Sequence, residues 1–580
     1  MSETPAALDY RVDLSDARRH RYRVSLRVAA PQADQTVSLP VWIPGSYLVR
    51  EFARHLDGLA ARQDGAACAV EALDKASWRV RCAAGRPLDL SWTVYAFDTS
   101  VRAAWLDAAR GFFNGTSLFL RVHGAEALPH RLELAGLPEG WQVATAMAGA
   151  GLRFEAADYD EFVDHPFELG TFWRGEFDAG GVPHRVVVAG APPSFDGARL
   201  LADVRRLCEA EISFWGGAPF AAYTFLLNTV ADGHGGLEHR ASTALLAARG
   251  DLPRHDQAEA SDAYVNLLSL FAHEYFHAWS VKRLRPAEFA RYDYGGENYT
   301  RLLWFFEGFT SYYDERFVQR CGLIDAQRWL KLVGDNLGRV LATPGRHRQS
   351  VAQASFDAWV RLYRPDENSP NSSVSYYAKG ALVGLALDLR LREAGASLDA
   401  LMTGLWRASG GGPVDEAMIL TAVREIGGAG GAAVATALAD WVHGTADLPL
   451  AELFARFGVL YEALAPTLAQ RLGLRVAESA LTGVQVKQVL DDSAAQGAGL
   501  AAGDELLACH GWRLRRLDDA LVSLAPGATR LRLLVGRDQR VLELDVELPP
   551  AEAGGGGVRL RLAENVDAAV LARRQAWLGV

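Results

Sequence analysis

Between Asp9 and about Phe172, apolar and polar residues alternate in short runs such as Tyr10-Arg-Val-Asp-Leu, Tyr22-Arg-Val-Ser-Leu-Arg-Val, Ser77-Trp-Arg-Val-Arg and Leu118-Phe-Leu-Arg-Val. Gly, Pro and Asp turns separate them, and this period of two predicts an antiparallel sheet or sandwich. After Pro183-His-Arg-Val-Val-Val-Ala-Gly the pattern predicts a helix from about Ala198 to Trp215 and a strand from Tyr223 to Val230. Helical periodicity dominates from Ser261 to about Glu452, with Gly410-Gly-Gly-Pro413 and Gly427-Gly-Ala-Gly-Gly431 as breaks between helices. Neither glycine run has the strand-before, helix-after setting of a phosphate loop. Short strands return from about Leu472: Gly483–Val489, Asp504–Cys509 and Leu531–Val535. They predict a small module of roughly 80 residues, followed by a Gly/Pro/Ala-rich tail in which Gly554 to Gly557 form a turn or linker.

A chain of 580 residues is too long for one hydrophobic core and implies three or four domains. With 49% apolar and 22% charged residues it is ordinary globular material, not a disordered or fibrous chain. The net charge of −10 comes without a basic block, so the electrostatic footprint of a nucleic-acid binder is missing. No apolar stretch approaches the roughly 18 residues of a membrane helix, so no membrane association is expected. The five cysteines (Cys68, Cys82, Cys208, Cys321 and Cys509) are scattered and never form C-x-x-C. That argues against a disulfide framework or thiolate metal site and fits a reducing cytoplasm. The stretch from Met1 to Asp9 has neither the basic start nor the apolar run of a secretory signal, although a removed signal would leave the same sequence.

The sharpest chemical signal is His273-Glu274-Tyr275-Phe276-His277. On a helix, imidazoles four residues apart project from one face and can share a metal ion. Zinc accepts neutral imidazole nitrogen, and the intervening glutamate can reach a water on the metal as general base. Ser261 or Asp262 can cap such a helix, and Tyr264, Leu267, Leu268, Phe271, Tyr275 and Trp279 recur at helical spacing. Without a third ligand, two histidines on an ordinary helix would look the same.

Glu307, in Trp304-Phe-Phe-Glu307-Gly308-Phe-Thr310, is the candidate for that ligand, and a solvated helix residue is the plain alternative. The intervening chain is long enough for the first helix to end and a second to return, with turns at Arg285-Pro-Ala-Glu and Tyr294-Gly-Gly. Aromatic flanks are a costly setting for an unpaired carboxylate. Gly308 would let two helices approach closely, offsetting its helix-propensity cost of about 1 kcal/mol. Two histidines, a glutamate and one open position make the catalytic zinc pattern.

Two further segments are candidates. In His234-Gly235-Gly236-Leu237-Glu238-His239 the glycines allow backbone to lie against a ligand and Glu238 could hold a cation; a Gly-rich turn with an exposed acid fits as well. In Ser375-Tyr376-Tyr377-Ala-Lys379-Gly380 a tyrosine hydroxyl could stabilise an oxyanion, and core packing is the alternative.

Taken together, these residues resemble the PDZ-carrying glycyl aminopeptidase family of zinc metallopeptidases, a gluzincin group related to thermolysin and the alanyl aminopeptidases. The resemblance runs over nearly the whole chain. It includes Trp42-Ile-Pro-Gly-Ser-Tyr47-Leu-Val-Arg50, Tyr95-Ala-Phe-Asp98-Thr-Ser-Val-Arg102 and Phe113-Asn-Gly-Thr116 in a β-domain. Late in the chain, Leu472-Gly473-Leu474 and Ala498–Glu505 are similar to a PDZ carboxylate loop and its following turn. Gly235-Gly-Leu-Glu238-His is similar to the Gly-x-Met-Glu-Asn exopeptidase motif, whose glutamate grips the substrate's α-amine, with Leu237 and His239 in place of Met and Asn. Tyr377-Ala-Lys379-Gly380 is similar to Tyr-Glu-Lys-Gly, which makes Tyr377 the transition-state donor, with Ala378 in place of the acid. Thermolysin's second-shell aspartate corresponds to Ser311, so the sequence names no partner that orients the histidines.

The resulting expectation is a multidomain α+β chain: an N-terminal β-sandwich-like domain (1–172), a thermolysin-like catalytic domain with helical continuation (173–460), a PDZ domain (461–550) and a C-terminal tail (551–580). One zinc ion sits on His273, His277 and Glu307, with water in the fourth position and Glu274 as general base. Tyr377 supports the oxyanion, while Glu238, Gly235 and Gly236 bind peptides with free N-termini. The resemblance further implies preference for N-terminal glycine, then alanine, and a C-terminal peptide as possible PDZ ligand. The alternatives are a catalytically inactive peptidase fold that binds through its PDZ module, or a zinc endopeptidase.

Overall fold

The computed structural model describes residues 7–550 and 555–580; the first six residues of the N-terminal stretch, and Gly554 of the expected linker, lie outside them. The chain forms two compact units: residues 1–299 with 320–323 and 406–414, and residues 300–319 with 324–405 and 415–580.

The first unit opens with β structure. An eight-stranded sheet is joined by two four-stranded sheets. Along residues 21–28 the tyrosine, valines and leucine turn inward while Arg21, Arg23 and Arg27 face solvent, as a one-sided sheet requires. Leu118–Val122, expected as a strand, departs from this pattern. Residues Gly115–Leu118 form a helical turn and only Arg121–Val122 pairs with Gln35–Ser38. Side chains take the place of a partner strand: the carbonyls of Leu118, Phe119 and Leu120 accept from Trp92 Nε1 (3.0 Å), Tyr159 Oη (2.9 Å) and Tyr10 Oη (2.6 Å). Buried backbone acceptors are thereby satisfied while Phe119 and Leu120 fill the core.

Next comes a five-stranded sheet built from β1 (Trp173–Ala179), β2 (Val182–Ala189), β3 (Tyr223–Val230), β4 (Gly235–Glu238) and β5 (Ser242–Ala248), in the order β1-β2-β3-β5-β4. Strands β2, β3 and β5 are parallel, and β4 runs antiparallel to β5 at the edge. β3 is buried nearly throughout, which explains its uninterrupted Phe-Leu-Leu run. Helix α1 (Gly197–Trp215) is capped by Asp196 and ends on Gly216 at φ +80°, the left-handed stop that glycine adopts freely. Helix α2 (Asp262–Phe276) starts on Ser261, whose hydroxyl accepts from Tyr264 N. Its Tyr275 packs on Tyr223 and Phe225 of β3 and meets His184 Nε2 of β2 at 2.7 Å.

The second unit is mainly helical. Helix α3 (Gly308–Arg320) begins directly after Glu307, and α4 (Tyr376–Glu393) crosses its start. A Cβ on Gly308 would lie 2.6 Å from Gly380 Cα, and one on Gly380 2.8 Å from Trp304 O, so both glycines are fixed by backbone contact. Residues 468–547 form a small β module around Leu472, Val484, Leu506, Leu533 and Val546. Asn371 ties it to the helical part in both directions: its Nδ2 donates to Val489 O and its Oδ1 accepts from Asp491 N, each at 2.9 Å.

The expected tail is corrected by the structure. Val558–Leu562 pairs antiparallel with Val459–Ala463, and Ala568–Leu578 is a helix whose Trp577 is buried against Trp329 and Phe457. Among the described residues, no helix is long and apolar enough to cross a membrane.

Candidate active site

Helix α2 delivers the histidine pair at its C-terminal end, His277 being the capping residue. His277 is buried and its Nδ1 lies 2.6 Å from Ser280 O. A carbonyl only accepts, so Nδ1 carries the proton and Nε2 is left as a ligand atom. This is the orienting partner for which the sequence offers no sign, because a backbone carbonyl carries no side-chain signature.

Glu307 lies at the junction between the helical turn Leu303–Phe306 and α3, with its N–H on Leu303 O (2.8 Å) and its carbonyl accepting from Ser311 N (2.8 Å). Only 2% exposed, it is flanked by buried Trp304, Phe305, Phe306 and Phe309. His273, His277 and Glu307 each offer a ligand atom, and the three atoms lie within 4.8 Å of one another. A zinc at about 2.0–2.2 Å from each would set them roughly 3–4 Å apart, which lies within that limit. Two neutral imidazoles and one carboxylate are also the donor set zinc prefers in catalytic sites. The residues fit the ion.

Edge strand β4 brings the substrate-binding candidates beside α2. Gly236 and Glu238, two apart, share a face, whereas Leu237 is buried in the N-terminal core. A Cβ on Gly236 would fall 2.0 Å from Glu274 Oε1, and one on Gly45 only 2.5 Å from Glu238 Oε2. Gly45, at φ +94°, belongs to the Trp42–Tyr47 segment, which Trp42 Nε1 anchors on Asp293 O at 2.6 Å. The exposed-acid reading of Glu238 therefore fails: the carboxylate is 4% exposed and its Oε1 has no hydrogen-bond partner among the described residues. Glu238 lies opposite Thr243 of β5 in the sheet register. Gly236→Ala should cost activity by about 10²-fold or more, because displacing the Glu274 carboxylate by about 1 Å is enough if Glu274 is the general base; the measurement is kcat/KM beside an unchanged circular dichroism spectrum.

Tyr377 is half-buried on the first turn of α4, and its hydroxyl lies 3.2 Å from Tyr363 Oη. Tyr376 is fully buried and stacks on it. Burial, then the charge of Glu307, holds the Tyr377 phenol well above its ordinary range, so it remains a protonated donor.

Residues 9–171 match the Peptidase M61 N-terminal domain and residues 266–383 match M61 glycyl aminopeptidase. An aminopeptidase N family protein from Idiomarina loihiensis is 36% identical, with 98% of this chain and 100% of that chain covered and a TM-score of 0.92. The chain belongs to the M61 peptidase family. It is a metalloaminopeptidase. More distant likenesses to the M61 chain are an M1 zinc metallopeptidase from Deinococcus radiodurans (18% identity, 77% and 94% covered, TM-score 0.47) and yeast LTA4 hydrolase (13%, 78% and 70%, 0.46). No curated protein matches it significantly.

The M61 chain also holds a polar cluster that sequence reasoning missed. Lys282 Nζ lies 2.7 Å from Asp164 Oδ1, which also meets His239 Nδ1 at 3.3 Å, and Arg240 N donates to Asp164 Oδ2. Burial alone would raise the Asp164 pKa, but Lys282 and His239 outweigh it and hold the group below the usual carboxylate range. His239 stands where the exopeptidase motif has Asn, and this cluster gives its ring a partner next to Glu238. No local pattern announces it, since Asp164 and Lys282 are remote in sequence from His239.

Proposed function

We propose that the chain removes N-terminal residues from peptides, with one zinc ion held by His273, His277 and Glu307. The observation that carries the exopeptidase reading is Glu238: a buried carboxylate with an unpartnered oxygen, on the strand whose Gly236 abuts Glu274. A buried carboxylate oxygen with no hydrogen bond is costly even with the charge of Lys282 acting on it, and a substrate ammonium is a natural partner. Anchored there, a peptide presents its first carbonyl beside Glu274, which sets the count at one residue.

A bound zinc would supply Lewis acidity, lowering the pKa of a water and polarising the scissile carbonyl. Glu274 takes the proton from the attacking water and delivers it to the departing amine. Tyr377, protonated, donates to the developing oxyanion. The protonated Nδ1 of His277, held by Ser280 O, keeps its ring directed at the metal position. Preference for N-terminal glycine, then alanine, is supported by the close approach of Gly45 to Glu238, which leaves little room for a side chain next to the amine. Residues 461–550 are proposed as a PDZ module that receives C-terminal peptides; its own hydrophobic core and edge strand Leu474–Ser479 support this.

The test compares glycyl-p-nitroanilide with its N-acetylated form. Removing one partner of a buried charge pair costs about 3–5 kcal/mol, so acetylation should lower kcat/KM by about 10²–10⁴-fold. Equal rates would make the enzyme an endopeptidase, and no chelator-sensitive cleavage of either would favour the inactive binding protein.

A further inference from the structure

Arg102 has no part in the chemistry so far, yet it reaches β4. Its Nη2 donates to Gly236 O at 3.2 Å, and its Nη1 lies 3.7 Å from where a Cβ of Gly235 would be. The side chain is half-buried, its Nε has no hydrogen-bond partner, and no carboxylate pairs with it among the described residues. Its one backbone partner, Gly236, is the residue that abuts Glu274 and lies two before Glu238 on the strand.

The order along β4 gives this cation a place in the reaction. Glu238 marks the substrate amine, Gly236 marks the scissile bond through its contact with Glu274, and Arg102, bonded to Gly236 O through Nη2, extends its Nη1 past it to Gly235. At about 3.3 Å per residue, Gly235 is roughly 10 Å from Glu238 along the strand. An extended dipeptide spans about 7 Å, so with its amine on Glu238 its terminal carboxylate comes within reach of the guanidinium. A planar fork of N–H donors matches a carboxylate in charge and shape.

We propose that Arg102 is a specificity-determining residue that binds the C-terminal carboxylate of dipeptides, on the leaving-group side of the scissile bond. This rests on the reading of Glu238 as the amine anchor. The substrate class is short peptides with both termini free, and the released residue leaves from the Arg102 end.

The experiment measures kcat/KM for Gly-Phe and Gly-Phe-amide, by chromatography of released phenylalanine or phenylalaninamide, in the wild type, Arg102→Gln and Arg102→Lys. The wild type should favour the free acid by about tenfold. Arg102→Gln should bring that ratio close to one, and Arg102→Lys, which keeps the charge, should retain part of it. A wild-type ratio near one would overturn the proposal while leaving the aminopeptidase reading intact, provided the amide is cleaved. Equal losses on both peptides in Arg102→Gln, with the ratio preserved, would likewise overturn it and make Arg102 a brace for β4. Cleavage of neither peptide by the wild type would sink the Glu238 reading together with it.

Discussion

Glu274→Gln should lower kcat by about 10²–10⁴-fold on glycyl-p-nitroanilide while the protein keeps its metal. The amide preserves the shape of the side chain beside Gly236 but cannot accept a proton from water. Glu274 is buried on α2 between the two histidines, and nothing about its position makes it a ligand. KM should change little, because the proposed function gives ground-state binding to Glu238 and the strand backbone. A fall in kcat and kcat/KM by the same factor is the mark of an interaction made only in the transition state. Turnover within a few-fold of wild type would remove Glu274 from the mechanism.

The second large effect concerns Glu307. Glu307→Ala should reduce bound zinc from about one per chain to near none, because a two-histidine site lacks the third protein ligand of catalytic zinc centres. Activity should disappear with the metal and reappear only in part at high added zinc. The aromatic surroundings of Glu307 make a purely structural role the competing account. Metal analysis by plasma mass spectrometry on folded protein separates the two, since a structural role predicts loss of melting temperature at unchanged zinc content.

Local periodicity carried a large part of this architecture. The strand Tyr223–Val230 and the helix opening on Ser261 lie where the apolar pattern and the cap residue put them. Gly308 marks a helix crossing because nothing larger fits against Gly380. The pattern failed where distant groups decide conformation. Leu118–Leu120 reads as a strand, yet Trp92, Tyr159 and Tyr10 supply the hydrogen bonds that a strand partner would have given. Likewise the terminal helix is placed by residues far upstream: Trp577 packs on Trp329 and Phe457, Arg392 donates to Ala576 O and Arg573 donates to Arg456 O.

The candidate site divides in the same way. Ligand-type residues at helical spacing are visible in a sequence, whereas close approaches between remote segments are not. Gly45 against Glu238, Ser280 O on His277, the Lys282–Asp164–His239 cluster and Arg102 on Gly236 all depend on tertiary contact. None of these contacts is written in the HExxH pentapeptide.

Anomalous diffraction at the zinc absorption edge, on crystals of active protein, bears most directly on the metal assignment. The account predicts a single peak about 2.0–2.2 Å from an imidazole nitrogen of His273, one of His277 and a carboxylate oxygen of Glu307. A peak at other residues, or active crystals with no zinc at these three, would contradict it.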